Sequence, residues 1–561
     1  MPRFTIPNPK KRLWSGIFPG EDAGEIWAGR GIELERNKGK VGLADSYSDL
    51  FDSSEGGFSN LTTPIAFVRS SADNTDRWWA NAGRLFKTSG TNPETGWSAD
   101  AIANTPTAPL YDLIDFAGAL LAPTSTDISR LSAGTWTASW WQGTLGQAAL
   151  TANPHRFWIQ AGAVHFTDGR LIQIYDGTLV KTAQTLPVGF RAEGGLPFRE
   201  LSFVYGAQIG GGEAYVYVIQ EGSNANTYLA RYPVGDTEVL CGWVADTVYI
   251  VTKKGMIKKF TGSGFEPIPL GGGLFAQFPT VEAQQEISSI HPNGVSVSEK
   301  VVKMFVNFGV ISNIRLSSGI WTFDMATGNL YNSGSVRNTT TRDYAQYELP
   351  AVGALRQTTV SQGAYLIGAQ VYTAYSGTTR YGIFSSDEGS TNNQGYFIST
   401  KLRSGNVRAF WRFIIPILRR MDNADDRLRV CVRIIDSNEL PAYETITWVS
   451  SSTFTASNSD IVAGDFVEVI AGENAGAIAR ITTYTGGTVT IDRSLYSSTS
   501  TSRVRYLRFI DLGTISNVQL QNTRFISSAR SEWLQYLVEL RGSETSPLIE
   551  QLVIDKKDLS L

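Results

Sequence analysis

The stretch AVHFTDGRLIQIYDG, residues 163–177, contains an apolar strand, a turn, and a second strand that ends in an aromatic residue beside glycine. Short runs of β-branched and aromatic residues separated by Gly, Asn, Asp or Ser are typical of β-hairpins. The same arrangement returns repeatedly along the chain, while helical periodicity is almost absent. A repeated hairpin therefore decides the predicted fold.

Six other segments carry this hairpin pattern: residues 83–97, 116–136, 214–233, 247–265, 319–334 and 364–389. Their intervals are irregular but bracket the roughly 40–50 residues of a β-propeller blade. We therefore predict a propeller of about seven blades over residues 61–395. An array of β-sandwiches is the competing fold.

A propeller needs a device that closes its ring. The stretch GRGIELERNKGKVGLA (29–44) precedes the repeats and has the composition of a strand. We predict that residues 1–60 form an N-terminal arm and that this stretch within it completes the last blade.

The pattern changes after residue 395. The segments 396–418, 427–436 and 531–555 are longer and alternate Arg with apolar residues, which predicts a half-buried antiparallel sheet. We assign residues 396–445 and 504–561 to a β-sandwich. Glycines punctuate four short strands between these two segments, so residues 446–503 are predicted to form a small inserted β-barrel.

Composition excludes several classes of function. The chain has 561 residues and a net charge of −3, whereas a protein that binds a phosphate backbone needs clustered excess Lys and Arg. The two cysteines, Cys241 and Cys431, are too few and too far apart for a disulfide framework. No signal core or long apolar run is visible, so we expect a soluble protein without membrane insertion.

One segment carries a recognisable motif. Ser385, Asp387, Gly389 and Thr391 follow the spacing of the Asp-box, Ser-x-Asp-x-Gly-x-Thr-Trp, and resemble that hairpin motif of sialidases and other propeller proteins. Asn392 replaces its Trp. In such a motif Asp accepts backbone N–H bonds and Gly relaxes the turn, so the match predicts a structural turn rather than chemistry.

Two pairs of adjacent tryptophans are candidate contact residues, Trp78 with Trp79 and Trp140 with Trp141. Adjacent residues of a strand face opposite sides, so one ring of each pair is expected in the core. The other ring could lie in a groove or an interface, where it would stack on a sugar or contact another subunit.

No catalytic, cofactor-binding or metal-binding residue is predicted. A sialidase needs three arginines, a Tyr nucleophile with a Glu partner and an acid/base Asp. The nearest match to its arginine segment, FRELSF at 198–203, lacks the Pro. Two facing carboxylates, which suffice for other glycosidases, cannot be located from unaligned sequence. The three histidines and two cysteines do not show zinc-site spacing.

The C-terminal residues resemble a known class of proteins. GDFVEVIAGENAGAIARI (464–481) with TVTIDRSL (488–495) resembles a module that recurs in virion proteins of tailed phages. SEWLQYLVELRGSETSPLIEQLVI (531–554) resembles strand pairs of the same class. A β-propeller joined to such a sandwich is similar to phage tail nozzle, hub and adsorption-apparatus proteins.

This resemblance implies a non-enzymatic structural role. It implies a homo-oligomeric ring with sixfold symmetry in the virion tail, assembled in the host cytoplasm, between an adaptor protein and fibre proteins. DNA would pass through the ring without specific binding, which suits a mildly acidic chain. The alternative is a propeller that binds host-surface glycan as an adhesin, or that hydrolyses it.

Overall fold

A computed structural model of the chain confirms the predicted fold class, because it is all-β and comprises a propeller, a sandwich and a small closed barrel. It describes these residues: 3–6, 26–34, 41–52, 58–59, 61–63, 65, 67–70, 76–81, 83–89, 97, 108–151, 154–220, 228–268, 286–298, 300–308, 319–334, 367–373, 379–391, 394–403, 409–421, 426–434, 443–472, 477–492, 501–516, 523–531, 533–542 and 547–558. Within these ranges no helix is both long enough and apolar enough to span a membrane.

The N-terminal part of the chain contributes strands to both sheets of the sandwich and to the last propeller blade. Its described residues form five strands: β1 (Arg3–Ile6), β2 (Ile26–Arg30), β3 (Ile32–Glu33), β4 (Gly42–Leu43) and β5 (Asp45–Asp52). Strands β3 and β4 pair with each other. The other three join sheets that are built mainly from much later residues.

The propeller strands follow. They are β6 (Val68–Ser70), β7 (Asp76–Asn81), β8 (Arg84–Ser89), β9 (Ile114–Phe116), β10 (Ala119–Pro123), β11 (Ile128–Ser132), β12 (Thr135–Thr137), β13 (Phe157–Gln160), β14 (Ala163–Asp168), β15 (Leu171–Tyr175), β16 (Val180–Thr185), β17 (Phe190–Phe198), β18 (Leu201–Gln208), β19 (Tyr215–Gln220), β20 (Ala230–Pro233), β21 (Val239–Val244), β22 (Val248–Thr252), β23 (Ile257–Phe260), β24 (Phe265–Pro267), β25 (Ser289–Ser298), β26 (Val301–Asn307), β27 (Gly319–Asp324), β28 (Leu330–Gly334), β29 (Ile367–Thr373) and β30 (Thr379–Thr391).

These strands form seven antiparallel sheets within the described residues. Blade 1 is β6–β8, blades 2 to 6 are consecutive four-strand meanders from β9–β12 to β25–β28, and blade 7 is β29, β30 and β5. Each of the seven hairpin segments falls in a different blade. In the hairpin of residues 163–177, Gly169 turns the chain between β14 and β15 with a φ of 63°, a conformation that glycine adopts without strain.

Both faces of a blade are covered by its neighbours. Every residue of β14, from Ala163 to Asp168, is buried, although a half-buried strand would alternate. Separate apolar clusters fill the spaces between consecutive blades, for example between blades 3 and 4 around Trp158 and Tyr217. The burial of whole strands explains why the blade sequences read as apolar runs.

The ring is closed by the N-terminal arm, but by a different stretch from the one predicted. Strand β5, Asp45–Asp52, pairs with β30 and completes blade 7. The predicted stretch 29–44 instead contains the end of β2 and the β3–β4 hairpin. The ring of Phe51 on β5 stacks on the ring of Phe58, with 3.9 Å between the ring centroids. It also lies 5.3 Å, centroid to centroid, from the ring of Trp79 in blade 1, and this contact joins the last blade to the first.

The remaining strands build the sandwich and the barrel. They are β31 (Gln394–Ser399), β32 (Leu402–Arg403), β33 (Ala409–Arg420), β34 (Arg427–Ile434), β35 (Glu444–Ser450), β36 (Thr453–Thr455), β37 (Phe466–Gly472), β38 (Ile478–Thr485), β39 (Thr488–Ile491), β40 (Thr501–Leu507), β41 (Ile510–Ile515), β42 (Arg524–Ser531), β43 (Trp533–Arg541) and β44 (Leu548–Asp558).

Two sheets form the sandwich. Sheet 1 has the order β1-β44-β33-β42, and sheet 2 has the order β2-β31-β43-β34-β41 with β32 also paired to β43. The barrel closes as β35-β36-β39-β38-β37-β40. Its strands run from Glu444 to Leu507, so it extends beyond the predicted 446–503 at both ends. The predicted boundary at residue 503 divides strand β40, which belongs wholly to the barrel.

The sandwich and the propeller share one core. A single apolar cluster contains Trp243 of blade 5, Trp321 of blade 6, Leu43 of β4, and Trp411 and Tyr536 of the sandwich. The barrel has a separate core around Trp448 and Phe454. The molecule thus consists of a propeller–sandwich body with a barrel attached to it.

Candidate functional site

Charged side chains from several blades meet at one end of the propeller axis. The first strands of consecutive blades from blade 3 to blade 6 contact one another, which places them innermost in the ring. Arg69, Asp112, Arg156 and His291 lie at or just before the start of the first strands of blades 1, 2, 3 and 6. Together with Asn293 we call these residues the axial cluster.

Asp112 is the centre of the axial cluster. Its carboxylate is 1% exposed and accepts a bond from Arg69 Nη2 at 2.9 Å and one from Asn293 Nδ2 at 3.1 Å. The backbone N–H groups of Leu113 and Phe157 also donate to it, at 2.9 and 3.0 Å. One buried carboxylate therefore ties together blades 1, 2, 3 and 6, with its desolvation offset by four donors.

Arg156 links the backbone next to Asp112 to His291 of blade 6. Its guanidinium donates to the carbonyl oxygen of Tyr111, and its Nη2 lies 2.6 Å from His291 Nε2. The N–H of Asn293 approaches the other ring nitrogen, Nδ1, at 3.1 Å. Both ring nitrogens of His291 therefore face donors, and a neutral imidazole can accept from only one of them at a time.

The electrostatics of the cluster keep His291 neutral. Burial lowers its pKa well below the usual range, and the adjacent Arg156 and Arg69 lower it further. Burial also lowers the pKa of Arg156, an effect that Asp112 and Glu193 oppose. Glu193 of β17 has a raised pKa because it is buried, although Arg191 donates a hydrogen bond to it.

This arrangement is suited to holding blades together. The Arg156–His291 and Asp112–Asn293 contacts cross between blades that are not neighbours in the ring. Within the described ranges, no group of three or more His, Cys, Asp or Glu side chains is placed to hold a metal ion. The axial cluster thus acts as a brace across the propeller axis.

The four Asp-box residues do not form the turn that was predicted. Ser385, Asp387, Gly389 and Thr391 all lie within the continuous strand β30. Ser385 pairs with Ser48 and Asp387 with Ser46, and the register then shifts so that Thr391 pairs with Asp45. Strand β5 comes from a distant part of the sequence and pairs with β30 on both sides of Gly389, with an irregularity between Asp387 and Thr391, so the predicted local turn is not formed. Asn392 lies outside the described residues.

The tryptophan pairs are also corrected. Trp78 and Trp79 are 7% and 0% exposed, and Trp140 and Trp141 are 3% and 1% exposed, so none of the four is available to a glycan or a second subunit. The expectation of one outward ring assumed a strand with one open face. A blade has neighbours on both faces, and the second pair lies in a π-helical turn, Trp140–Thr144, rather than in a strand.

Sequence reasoning missed the axial cluster. Asn293 and Asp112, for example, are 181 residues apart and meet only because Asn293 lies on the first strand of blade 6 and Asp112 just before the first strand of blade 2. The available signal was a charged or polar residue at the start of the first strand of several repeats. That signal is meaningful only once the blades have been aligned with one another.

Comparisons with known proteins give likeness of fold alone. No family model matches the chain, and no curated protein matches it. Among solved structures, BBS1N in complex with ARL6DN is 9% identical, with 62% of this chain and 98% of that chain covered and a TM-score of 0.38. The AfRom2 CNH domain is 11% identical, with 62% of this chain and 99% of that chain covered and a TM-score of 0.35. The Pan2 WD40 domain of Neurospora crassa is 9% identical, with 62% of this chain and 97% of that chain covered and a TM-score of 0.38. These values support no inference about what the chain binds or does.

Proposed function

We propose that the chain is a structural virion protein of a tailed phage and works as a nozzle- or hub-like ring component of the tail. The observation that carries the proposal is the way in which the N-terminal strands join the domains. Strands β1 and β2 belong to the two sandwich sheets and β5 belongs to blade 7. A subunit tied in this way is suited to passing load between the neighbours above and below it.

The sequence features of the C-terminal part support the same role. The segments that resemble phage virion modules, 464–481 and 531–554, lie in the barrel and in β43 and β44, which belong to different sheets of the sandwich. The net charge of −3 suits a ring through which DNA moves without being retained. In such an assembly DNA passes between the subunits, because the axial cluster crosses the axis of the single propeller.

The residues that were candidates for the alternative function, glycan binding or hydrolysis by the propeller, are not available to a ligand. The four tryptophans proposed to stack on sugars are buried. No described residue favours the alternative over the ring component.

The proposal is tested with the purified full chain and with particles. Sedimentation velocity over a concentration series should show a closed oligomer of about six copies, and electron micrographs should show rings. A tag at the C terminus should place label at the tail of every particle. A chain that stays monomeric at all concentrations, is absent from particles and is retained on host polysaccharide would instead be the adhesin.

A further inference from the structure

The barrel lies on the outer face of sandwich sheet 2, and we call this contact the barrel joint. The sheet contributes an apolar row in pairing register, formed by Ala28, Ile398, Leu537 and Cys431. The barrel contributes Phe466, Ile478 and Leu507, which pack with that row into one buried cluster. A second row of the sheet, one pair further along, is polar and consists of Arg30, Tyr396, Glu539 and Arg429.

A carboxyl group lies in the middle of this contact. Along β37, Val467 and Val469 point into the barrel core, whereas Phe466 points towards the sheet. Glu468 follows the same alternation as Phe466 and is 1% exposed. A glutamate between the barrel and the sheet is an unusual choice for a purely apolar docking surface, because burial of its charged form is costly.

The surroundings of Glu468 satisfy one of its two oxygens. The hydroxyl of Tyr396 on β31 donates a hydrogen bond to Oε1. Oε2 is buried and has no hydrogen-bond partner among the described residues. A protonated carboxyl group needs fewer donors than a carboxylate, so this environment suits the neutral form.

The charged and titratable groups that act on Glu468 come from three elements. Burial raises its pKa to about 7, although the Tyr396 hydrogen bond, Arg505 of β40 and Arg30 of β2 act in the opposite direction. The pKa of Tyr396 is itself raised by burial, by Glu468 and by Glu539 of β43. If the barrel left the sheet, water would reach Glu468 and its pKa would return to about 4.3.

The barrel is packed as a separate unit. It has its own core, and the chain enters it after β34 and leaves it before β41. Beside the apolar contact, Arg429 of β34 bonds Asp492 at 2.5 Å and Arg480 of β38 bonds Asp511 at 3.1 Å. These ion pairs lie beside the contact with Glu468 and can retain the barrel when that contact weakens.

We propose that the barrel joint is a proton-operated hinge, in which the barrel docks firmly on sheet 2 while Glu468 is protonated and loosens when Glu468 ionises. The docked form binds the proton more tightly than the undocked form, so docking is strongest below about pH 4.3 and weakens as the pH rises to about 7. Above that pH the effect levels off. The two pKa values differ by about 2.7, so the whole change in the docking equilibrium is about 500-fold.

The two cysteines supply a reporter and a control. Cys431 is 0% exposed and belongs to the cluster beneath the barrel, whereas Cys241, also 0% exposed, belongs to the core shared by the propeller and the sandwich. A thiol-reactive disulfide reagent should therefore modify Cys431 when the barrel opens and Cys241 only when the main body unfolds. The matched variant is Glu468→Gln, which keeps the shape but cannot ionise.

The experiment follows modification of both thiols in the wild type and in Glu468→Gln from pH 5 to pH 8. At each pH, the wild-type rate at Cys431 is divided by the rate at the same thiol in the variant. This division cancels the pH dependence of the thiol's own reactivity. The wild-type rate at Cys431 should rise relative to the variant by on the order of a hundredfold, with Cys241 protected throughout. A constant ratio overturns the hinge, as does modification of Cys241 in step with Cys431.

Hydroxyl-radical footprinting of the wild type gives a second measurement that does not need the variant to fold. Oxidation of Phe466 and Phe509, which are buried between the barrel and the sheet, should rise between pH 5 and pH 8, while oxidation of Phe203, buried in blade 4, should stay constant. Equal changes at the two places, or no change at either, overturn the hinge.

Discussion

At the residue scale, Asp112 shows how a buried charge can connect elements that are distant in sequence. It accepts from Arg69, from Asn293 and from two backbone N–H groups, and each donor would be left without an acceptor if the carboxylate were removed. Loss of one partner from a buried pair is costly because the other charge stays buried. The axial cluster therefore contributes to stability as a set rather than as separate pairs.

We expect Asp112→Asn to reduce the free energy of unfolding of the propeller by about 3 kcal/mol, since the positive charges of Arg69 and Arg156 lose their counter-charge. Urea unfolding monitored by tryptophan fluorescence measures this change. Asp115→Asn is the matched control, because Asp115 lies on the same blade and is exposed, so its replacement should change stability by less than about 0.5 kcal/mol. Equal effects of the two substitutions would contradict the bracing role.

Individual residues were the least predictable part of the molecule. Trp79 and Trp141 were recognised as apolar, but their burial depends on blades that cover both faces of a strand or turn. The partners of Asp112 depend on how the blades converge at the axis. The residue type predicts the chemistry of a side chain, but it does not predict which other residues will surround that side chain in the fold.

At the element scale, the hairpin pattern was enough to locate the blades, because a hairpin is stabilised by residues that are close in sequence. The pairing of β5 with β30 is different, since it joins the two ends of the propeller sequence. The prediction of a closing strand placed it at 29–44, next to the strand that the structure contains. A local pattern identifies a strand but carries little information on a partner that is distant in sequence.

The role of β5 can be isolated with two truncations. Removal of residues 1–44 takes away β1–β4 and leaves β5, whereas removal of residues 1–57 also takes away β5. Both truncations remove the side chains that β2–β4 add to the core shared with blades 5 and 6, so both should lower stability. Only the second should abolish cooperative unfolding of the propeller, because Phe51 packs against blade 1 and the edge of β30 is otherwise unpaired. Calorimetry and near-ultraviolet circular dichroism measure this loss. Identical melting curves for the two truncations would show that β5 does not close the ring.

At the scale of the whole molecule, the distribution of cores determines which parts unfold together. The cluster that contains Trp411 extends from the sandwich into blades 5 and 6, whereas the cluster that contains Trp448 is confined to the barrel. The two side chains are otherwise alike, since both are 1% exposed. The Trp411 indole N–H donates to Ser531 O at 3.2 Å and that of Trp448 to Ser502 Oγ at 2.9 Å. They form a matched pair of probes.

We expect Trp411→Ala and Trp448→Ala each to cost about 3–5 kcal/mol, because each leaves a large cavity in a closed core. Their effects should differ in extent. Loss of Trp411 should reduce hydrogen-exchange protection in β21 and β26 of the propeller as well as in the sandwich, whereas loss of Trp448 should reduce it in the barrel strands alone. If the effect of Trp411→Ala stopped at the sandwich, the propeller and sandwich would be separately stable domains, and the N-terminal strands would connect them without coupling their unfolding.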